Sequence, residues 1–359
     1  MLGSVEDYHK ALVTWVTTHG RSLPWRAPWG EPQQPYKTWL SEIMLQQTVV
    51  ATMIPYYNGF IERWPCIETL AQSPVDDILH AWQGLGYYRR ARHLHTTALL
   101  IVDHYGGQIP DNEKTLLRLP GIGPYVAAAI RAIAFQQYAV VVDGNVERVM
   151  TRLFAQQQPL ADNRSALRQY ARSLTPKTKT IAPGTYAQAV MELGALVCRP
   201  KSPRCASCPV QPHCRAWHSG MAETLPTRKS KAPLPIRRGL IDWVESGDGN
   251  VAVYRRPDQG LLGGMHAFHG TPWETKATFP SPHPDANIIP EVVRHVFTHF
   301  ALELRITKRI SQQLPTGCFW HPIRLLEQLA LPSVMQKVKH VALSVHNHKA
   351  DLAKPDKPD

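Results

Sequence analysis

The sequence contains no long hydrophobic run. Nowhere do about 18 apolar residues follow one another, so no membrane-spanning helix is expected. The N-terminal stretch "MLGSVEDYHKALVTW" lacks the basic start and unbroken apolar core of a secretory signal. Negative charge is short as well. Only 28 Asp and Glu stand against 40 Lys and Arg, for a net charge of +12 and a pI near 9.5, a balance that favours a polyanionic partner. Cysteine is scarce and unevenly placed: Cys66 and Cys318 stand alone, and the other four crowd between 198 and 214. In a reducing compartment such crowding suggests a metal site rather than disulfides. These absences lead to the expectation of a soluble protein of the cell interior, cytoplasmic and nucleoid-associated if the source is bacterial, with no membrane partner.

What is present suffices for a folded protein, with 43% hydrophobic and 19% charged residues. A chain of 359 residues exceeds one typical core, so two domains are expected. From Val5 to about Ala216 apolar residues recur at three- and four-residue intervals, in helical runs such as "YKTWLSEIMLQQTVVATMIPYY" and "YRRARHLHTTALLIVDHY". This gives a mainly α first domain over residues 1–218. Residues 219–238, "SGMAETLPTRKSKAPLPIRR", are rich in Pro, Lys and Arg and lack periodicity, the pattern of a linker. Alternating and β-branched segments over 239–345 predict a smaller α/β domain. The charged end, 346–359, is expected to be a disordered tail. His340, His346 and His348 are read with that solvated end and are given no ligand role.

Four stretches carry chemistry. Cys198, Cys205, Cys208 and Cys214 follow the pattern C-x6-C-x2-C-x5-C, and four soft sulfur ligands suit a [4Fe-4S] cluster or zinc, which spacing alone does not separate. Arg199, Lys201, Arg204 and Arg215 around them put positive charge on the loop. In "LPGIGPY", Gly121 and Gly123 are expected to adopt backbone angles closed to other residues and to turn N–H groups outward, and Pro124 suits the start of a helix whose N-terminus attracts a phosphate. In "AVVVDGNVERV", an apolar run delivers Asp143 as the cap of a helix beginning near Val146. In "SEIMLQQT", Leu40, Ile43, Met44 and Gln47 fall at helical spacing, so Glu42 borders an apolar face where desolvation raises its pKa and keeps it protonated.

The cysteine spacing, the L-P-G-x-G hairpin and the intervening Asp143 occur in the order found in the endonuclease III superfamily of helix-hairpin-helix DNA glycosylases, which this chain resembles. The resemblance implies a [4Fe-4S] cluster on the four cysteines with no part in bond breaking, a DNA-phosphate grip at Gly121 and Gly123, and a catalytic aspartate at Asp143. Bifunctional members carry a Lys nucleophile where this chain has Tyr125, and a phenol forms no Schiff base, so a monofunctional enzyme using water is implied. "LPWR", "SEIMLQQT", "GLGYY", "DGNV" and "ELGALVC", spread over about residues 5 to 217, are similar to the MutY adenine DNA glycosylases. That similarity implies Glu42 as the acid that protonates the base and Asp143 as stabiliser of an oxocarbenium-like sugar, assisted by Tyr125 and Asn145. It also implies an adenine pocket lined by Trp25, Arg26, Leu45 and Glu192, with Gln47, Thr48 and Tyr87 around the base pair. The implied substrate is duplex DNA with adenine opposite 8-oxoguanine or guanine, bound by a monomer. Glu147 departs from the Lys that some members carry after "DGNV", so a covalent side reaction through that lysine is missing.

The second domain's "VYRRPDQGLLGGMHAFHG" resembles the Nudix-related C-terminal domain of the same family. The Nudix box, with its Mg-binding carboxylates, is absent, and nucleotide hydrolysis is not expected. Phe297, Thr298 and His299 match the family's Phe-Ser-His loop that inspects 8-oxoguanine, and Thr keeps the hydroxyl of Ser. Three other readings are an endonuclease III-like glycosylase and lyase acting on oxidised pyrimidines, a non-catalytic DNA-damage binding protein, and a nucleotide-pool Nudix hydrolase. The expected fold is therefore a mainly α helix-hairpin-helix glycosylase domain with an iron-sulfur loop, followed by an α/β Nudix-like domain.

Overall fold

Ser4 opens the first helix. Its hydroxyl accepts the amides of Glu6 and Asp7 at 3.1 and 3.4 Å, and Tyr8, Leu12 and Val16, one turn apart, bury one face of α1 (Val5–His19). A computed structural model describes residues 2–177, 180–227 and 232–351. Contacts divide the chain into two units, Met1–Gln72 with His93–Lys231, and Ser73–Arg92 with Ala232–Asp359. The first unit is helical: α1 is followed by α2 (Pro35–Leu45), α3 (Val50–Arg63) and α4 (Ile67–Gln72). The helix α5 (Val75–Ala81) belongs to the other unit, and α6 (Arg89–Tyr105) runs across the division. Then come α7 (Glu113–Leu116), α8 (Pro124–Ile133), α9 (Gly144–Leu153), α10 (Arg164–Leu174), α11 (Pro183–Leu196) and α12 (Arg215–His218).

The run "YKTWLSEIMLQQTVVATMIPYY" is two helices rather than one. It breaks between α2 and α3, where Gln47 takes a left-handed conformation with φ +57°. Periodicity misses the break because the apolar spacing continues across it. At the core of this unit Tyr186, Ala189, Val190 and Leu193 of α11 pack with the buried face of α1 and with Val146, Val149 and Met150 of α9. The α11–α9 contact is close: a Cβ on Gly194 would lie 2.6 Å from Asn145 Cβ. Residues 219–227, expected to start a linker, are docked instead. Leu225 is buried and its carbonyl accepts Arg152 Nε at 2.9 Å, while Thr227 Oγ1 donates to the Gln157 carbonyl at 2.7 Å. Buried apolar residues among the polar ones decide this. Residues 228–231 of the expected linker lie outside the described residues.

The second unit is built on a mixed six-stranded sheet of β1 (Ile236–Glu245), β2 (Asn250–Arg255), β3 (His266–Phe268), β4 (Asn287–Val296), β5 (Ala301–Ile310) and β6 (Phe319–Pro322), in the order β3-β2-β1-β5-β4 with β6 on β2. The central pair β1 and β5 is parallel, from Ile236 opposite Ala301 to Glu245 opposite Ile310, and β4 and β5 form an antiparallel hairpin. β1 therefore starts inside the segment expected to be linker. Strand residues Trp243, Val253, Leu302, Leu304 and Ile306 share a core with Val334, Val338 and Val341 of α13 (Ser333–Asp351). That helix continues to Asp351, into the segment expected to be tail, because its apolar stripe nucleates a helix that no Gly or Pro interrupts before Pro355. Residues 352–359 lie outside the described residues.

Candidate active site

Glu42 stands in the middle of α2, buried among Trp39, Leu40, Ile43 and Met44. Burial raises its carboxyl from an ordinary 4.5 to about 7. A hydrogen bond from Tyr125 opposes the rise, nearby Asp143 adds to it, and Arg26 pulls it back. Tyr125 sits in the first turn of α8 and its hydroxyl donates to Glu42 Oε2 at 2.5 Å, with Met191 Sδ at 3.7 Å. Burial, then the charges of Glu42 and Asp143, hold this phenol well above its ordinary value, so it stays a proton donor.

Asp143 caps α9. Its Oδ1 accepts the Val146 amide at 2.7 Å and its Oδ2 accepts Asn145 Nδ2 at 2.8 Å. Arg148 Nη2 donates to Asn145 Oδ1 at 2.8 Å. Since Asn145 Oδ1 accepts from a guanidinium, its amide nitrogen must be the atom facing Asp143. Arg148 also donates to the carbonyls of Gly194 at 2.6 Å and Cys198 at 2.7 Å, which fixes α9 against α11 and the cysteine loop. Burial raises the Asp143 carboxyl despite the Val146 and Asn145 hydrogen bonds that favour its anion. Capping and proximity to Glu42 thus belong to the same side chain.

Glu192 of α11 is fully buried. Its oxygens accept Arg21 Nη2 at 2.5 Å and Arg26 Nη2 at 2.9 Å. Burial alone would raise this carboxyl, but the two guanidiniums outweigh it and hold Glu192 below its ordinary value. Arg26 lies over the Trp29 ring at 5.3 Å, and Trp25 is buried edge-on to Tyr57 at 5.3 Å. Leu45 is half-buried at the end of α2, whereas Gln47 is exposed at the left-handed break and Thr48 follows it. Sequence reasoning missed Arg21, Met191 and Arg148. The available signal was electrostatic, since a buried Glu192 and a half-buried Asn145 each require a donor.

In the hairpin, Gly121 has φ +78°, and a Cβ there would meet His93 Cβ at 2.9 Å. Gly123 does not follow the expectation for it. It has φ −94° and ψ −179°, extended backbone open to any residue, and nothing lies within 4 Å of where its Cβ would be. Glu147 faces Arg164, 3.5 Å from Nε.

The four loop cysteines gather on one side of α9. Arg152, fully buried, donates from Nη1 to Cys198 Sγ at 3.2 Å, and Cys214 Sγ donates to the Arg152 carbonyl at 3.4 Å. Burial and then neighbouring sulfurs push the Cys208 thiol up to about 12, and burial raises Cys205 and Cys214. Four thiolates in this setting require a cationic centre, so the donor set fits an iron-sulfur cluster chemically. Among the described residues no group of three or more His, Cys, Asp or Glu is placed so that it could hold a metal ion.

The remaining predicted residues belong to the other unit. Phe297, Thr298 and His299 form the turn between β4 and β5, closed by the Phe297 amide on the Phe300 carbonyl at 2.8 Å. Phe297 packs on Phe300 and Trp273, while Thr298 and His299 are exposed. Tyr87, left-handed at φ +48°, has its hydroxyl 2.9 Å from Thr298 Oγ1.

Residues 40–177 match the HhH-GPD superfamily of base excision DNA repair proteins, and residues 243–340 match the NUDIX domain family. The chain is 32% identical to an adenine DNA glycosylase of Rattus norvegicus, over 95% of this chain and 78% of that protein. It is 35% identical to one of Buchnera aphidicola, over 92% and 96% of the respective chains. Among solved structures, a thermostable thymine-DNA glycosylase superposes with a TM-score of 0.53 at 28% identity, over 60% of this chain and 97% of the other. The chain belongs to the adenine DNA glycosylase family, on the helix-hairpin-helix base excision repair fold with a NUDIX-like second domain, and is a DNA N-glycosylase.

Proposed function

We propose that this enzyme removes adenine mispaired with 8-oxoguanine, and with guanine, from duplex DNA as a monofunctional monomer, and that Glu42 and Asp143 carry the reaction. The observation that carries this reading is the buried Glu42 carboxyl, raised to about 7, with Asp143 beside it as a hydrogen-bonded cap. A purine enters such a site only after rotating out of the duplex, because its glycosidic bond is shielded in the stack. Glu42 donates its proton to the purine, at N7, so that the base leaves neutral. The Asp143 carboxylate, aimed by Asn145, faces the positive charge that develops on the sugar. Water then completes the exchange. Tyr125 keeps the Glu42 carboxyl in place and supplies no amine for a lyase step. The aromatic and guanidinium wall of Trp25, Arg26, Leu45 and Glu192 receives the base.

Cys198, Cys205, Cys208 and Cys214 would hold a [4Fe-4S] cluster, whose part is to fix the loop and its basic residues. Membership in the adenine DNA glycosylase family and the set of four soft sulfur donors support that choice. Gly121 and Gly123 present the backbone amides at the start of α8 to a phosphate. Preference for 8-oxoguanine is assigned to Phe297, Thr298 and His299, with Thr298 aligned by Tyr87.

Single-turnover assays on duplexes with adenine opposite 8-oxoguanine, guanine and thymine test the reading. Excision is expected in the first two, faster opposite 8-oxoguanine, and adenine left intact in both would refute it. Borohydride trapping of a protein–DNA adduct would instead favour the lyase alternative. Purified protein is expected to be brown, and a colourless zinc protein would overturn the cluster assignment.

A further inference from the structure

Beneath the turn that carries Thr298 and His299, aromatic rings form a continuous stack. Trp273 lies on Phe297 with centroids 6.1 Å apart, and Phe297 lies on Phe300 at 4.8 Å. A guanidinium covers each end: Arg256 stands 5.0 Å from the Trp273 centroid and Arg237 stands 4.3 Å from that of Phe300. Most other cations of this sheet are neutralised. Arg238 and Arg294 share Glu303, Arg309 is held by Asp242, Arg255 by Asp76 and Lys308 by Glu245. Arg237 and Arg256 have no carboxylate partner among the described residues. Arg237 is exposed, and among the described residues the Arg256 guanidinium donates to the Leu261 carbonyl at 3.2 Å and the Tyr254 hydroxyl at 3.1 Å, both uncharged. An aromatic face orients a guanidinium without cancelling its charge.

We infer that Arg237 and Arg256 are a phosphate clamp, gripping the DNA backbone on either side of the base that the 297–299 turn inspects. This rests on the assignment of that turn to the lesion strand. The stack fixes the spacing of the two cations relative to the turn, so both phosphates are reached only when the turn is seated at its base. Phosphate contacts position a protein on DNA and carry no sequence information, and here that positioning is coupled to the reader.

The test uses the full-length protein and a duplex carrying 2′-fluoro-2′-deoxyadenosine, which resists excision, opposite 8-oxoguanine, with an undamaged duplex of the same length as comparison. Affinity is measured by fluorescence anisotropy from about 50 to 200 mM salt. Arg237→Gln and Arg256→Gln are each expected to weaken lesion binding about tenfold and to flatten the dependence of log affinity on log salt by roughly one unit, with a smaller change on undamaged DNA. Arg237→Lys is expected to keep the wild-type salt slope, and unchanged thermal melting separates the effect from misfolding. Wild-type slopes in both Gln variants would overturn the clamp, as would equal losses on the two duplexes, which would mark a general DNA contact. Failure of the parent reading has a different signature. Phe297→Ala would then leave the preference for 8-oxoguanine over guanine intact, whatever the slopes of the arginine variants.

Discussion

The Tyr125 hydroxyl donates to Glu42 Oε2 at 2.5 Å and so ties the first turn of α8 to the middle of α2. A hydrogen bond to a carboxylate favours the charged form, and this one works against the burial that raises Glu42 to about 7.

Removing that hydroxyl has a determinate sign. In Tyr125→Phe the anion of Glu42 loses its donor, so the carboxyl moves further above 7. An acid that must be protonated to act then keeps its proton to higher pH. The alkaline limb of the single-turnover pH profile is expected to shift upward, with the rate at its plateau reduced about tenfold or less. A limb that stays in place would separate Tyr125 from the titration of Glu42.

Glu42→Gln is expected to cost activity and add stability. Excision should fall by about 10²–10⁴, the range for loss of a positioned general acid. The folded state holds the Glu42 proton more tightly than the unfolded chain, whose ordinary value is 4.5. The contribution of Glu42 to wild-type stability therefore declines as pH rises from 4.5 and stops declining above 7. The Gln variant escapes that decline. Above pH 7 it should be more stable by about 3 kcal/mol, with the difference vanishing in acid. Urea midpoints in mild acid and in mild alkali check both halves.

Much of this site was legible in the sequence because its residues announce themselves through local rules. Asp143 reads as a cap before Gly-Asn-Val, and Glu42 borders an apolar helical face. The cysteines show their spacing, and Gly121 its left-handed turn. The illegible parts depend on contacts distant in sequence. Arg21 and Glu192 meet across |i−j| = 171, and Arg148 reaches Cys198 across |i−j| = 50. No periodicity records such pairs. The break at Gln47 was hidden for the opposite reason, since the apolar repeat runs through it unchanged. Gly123 shows that a motif glycine need not be there for its backbone angles.

Gly194→Ala tests the packing that positions the acid's partner. Alanine favours a helix by about 1 kcal/mol over glycine, but its Cβ would lie 2.6 Å from Asn145 Cβ and 3.1 Å from the Asn145 backbone. Overpacking of this kind costs about 1–3 kcal/mol, so a net loss of stability is expected. The excision rate should fall more than affinity, because Asn145 aims Asp143. An unchanged rate with lowered stability would limit Gly194 to packing.

Tyr87→Phe and Thr298→Val each remove one hydroxyl of a single 2.9 Å contact. Each is expected to reduce the preference for 8-oxoguanine over guanine by about three- to tenfold, and the double variant should be no worse than either alone. Additive losses would mean that the two hydroxyls act separately on DNA.

On the placement around the base pair that the family resemblance implies for Gln47, its left-handed backbone bears on how the enzyme meets its duplex. A side chain with a Cβ in that region carries about 1–2 kcal/mol of strain that glycine would avoid, yet glycine would leave the tip free to wander. A glutamine held in this conformation is expected to restrict the loop between α2 and α3 more than glycine would, so less ordering entropy remains to be lost at association. A tip restricted in this way is expected to meet a base step without refolding.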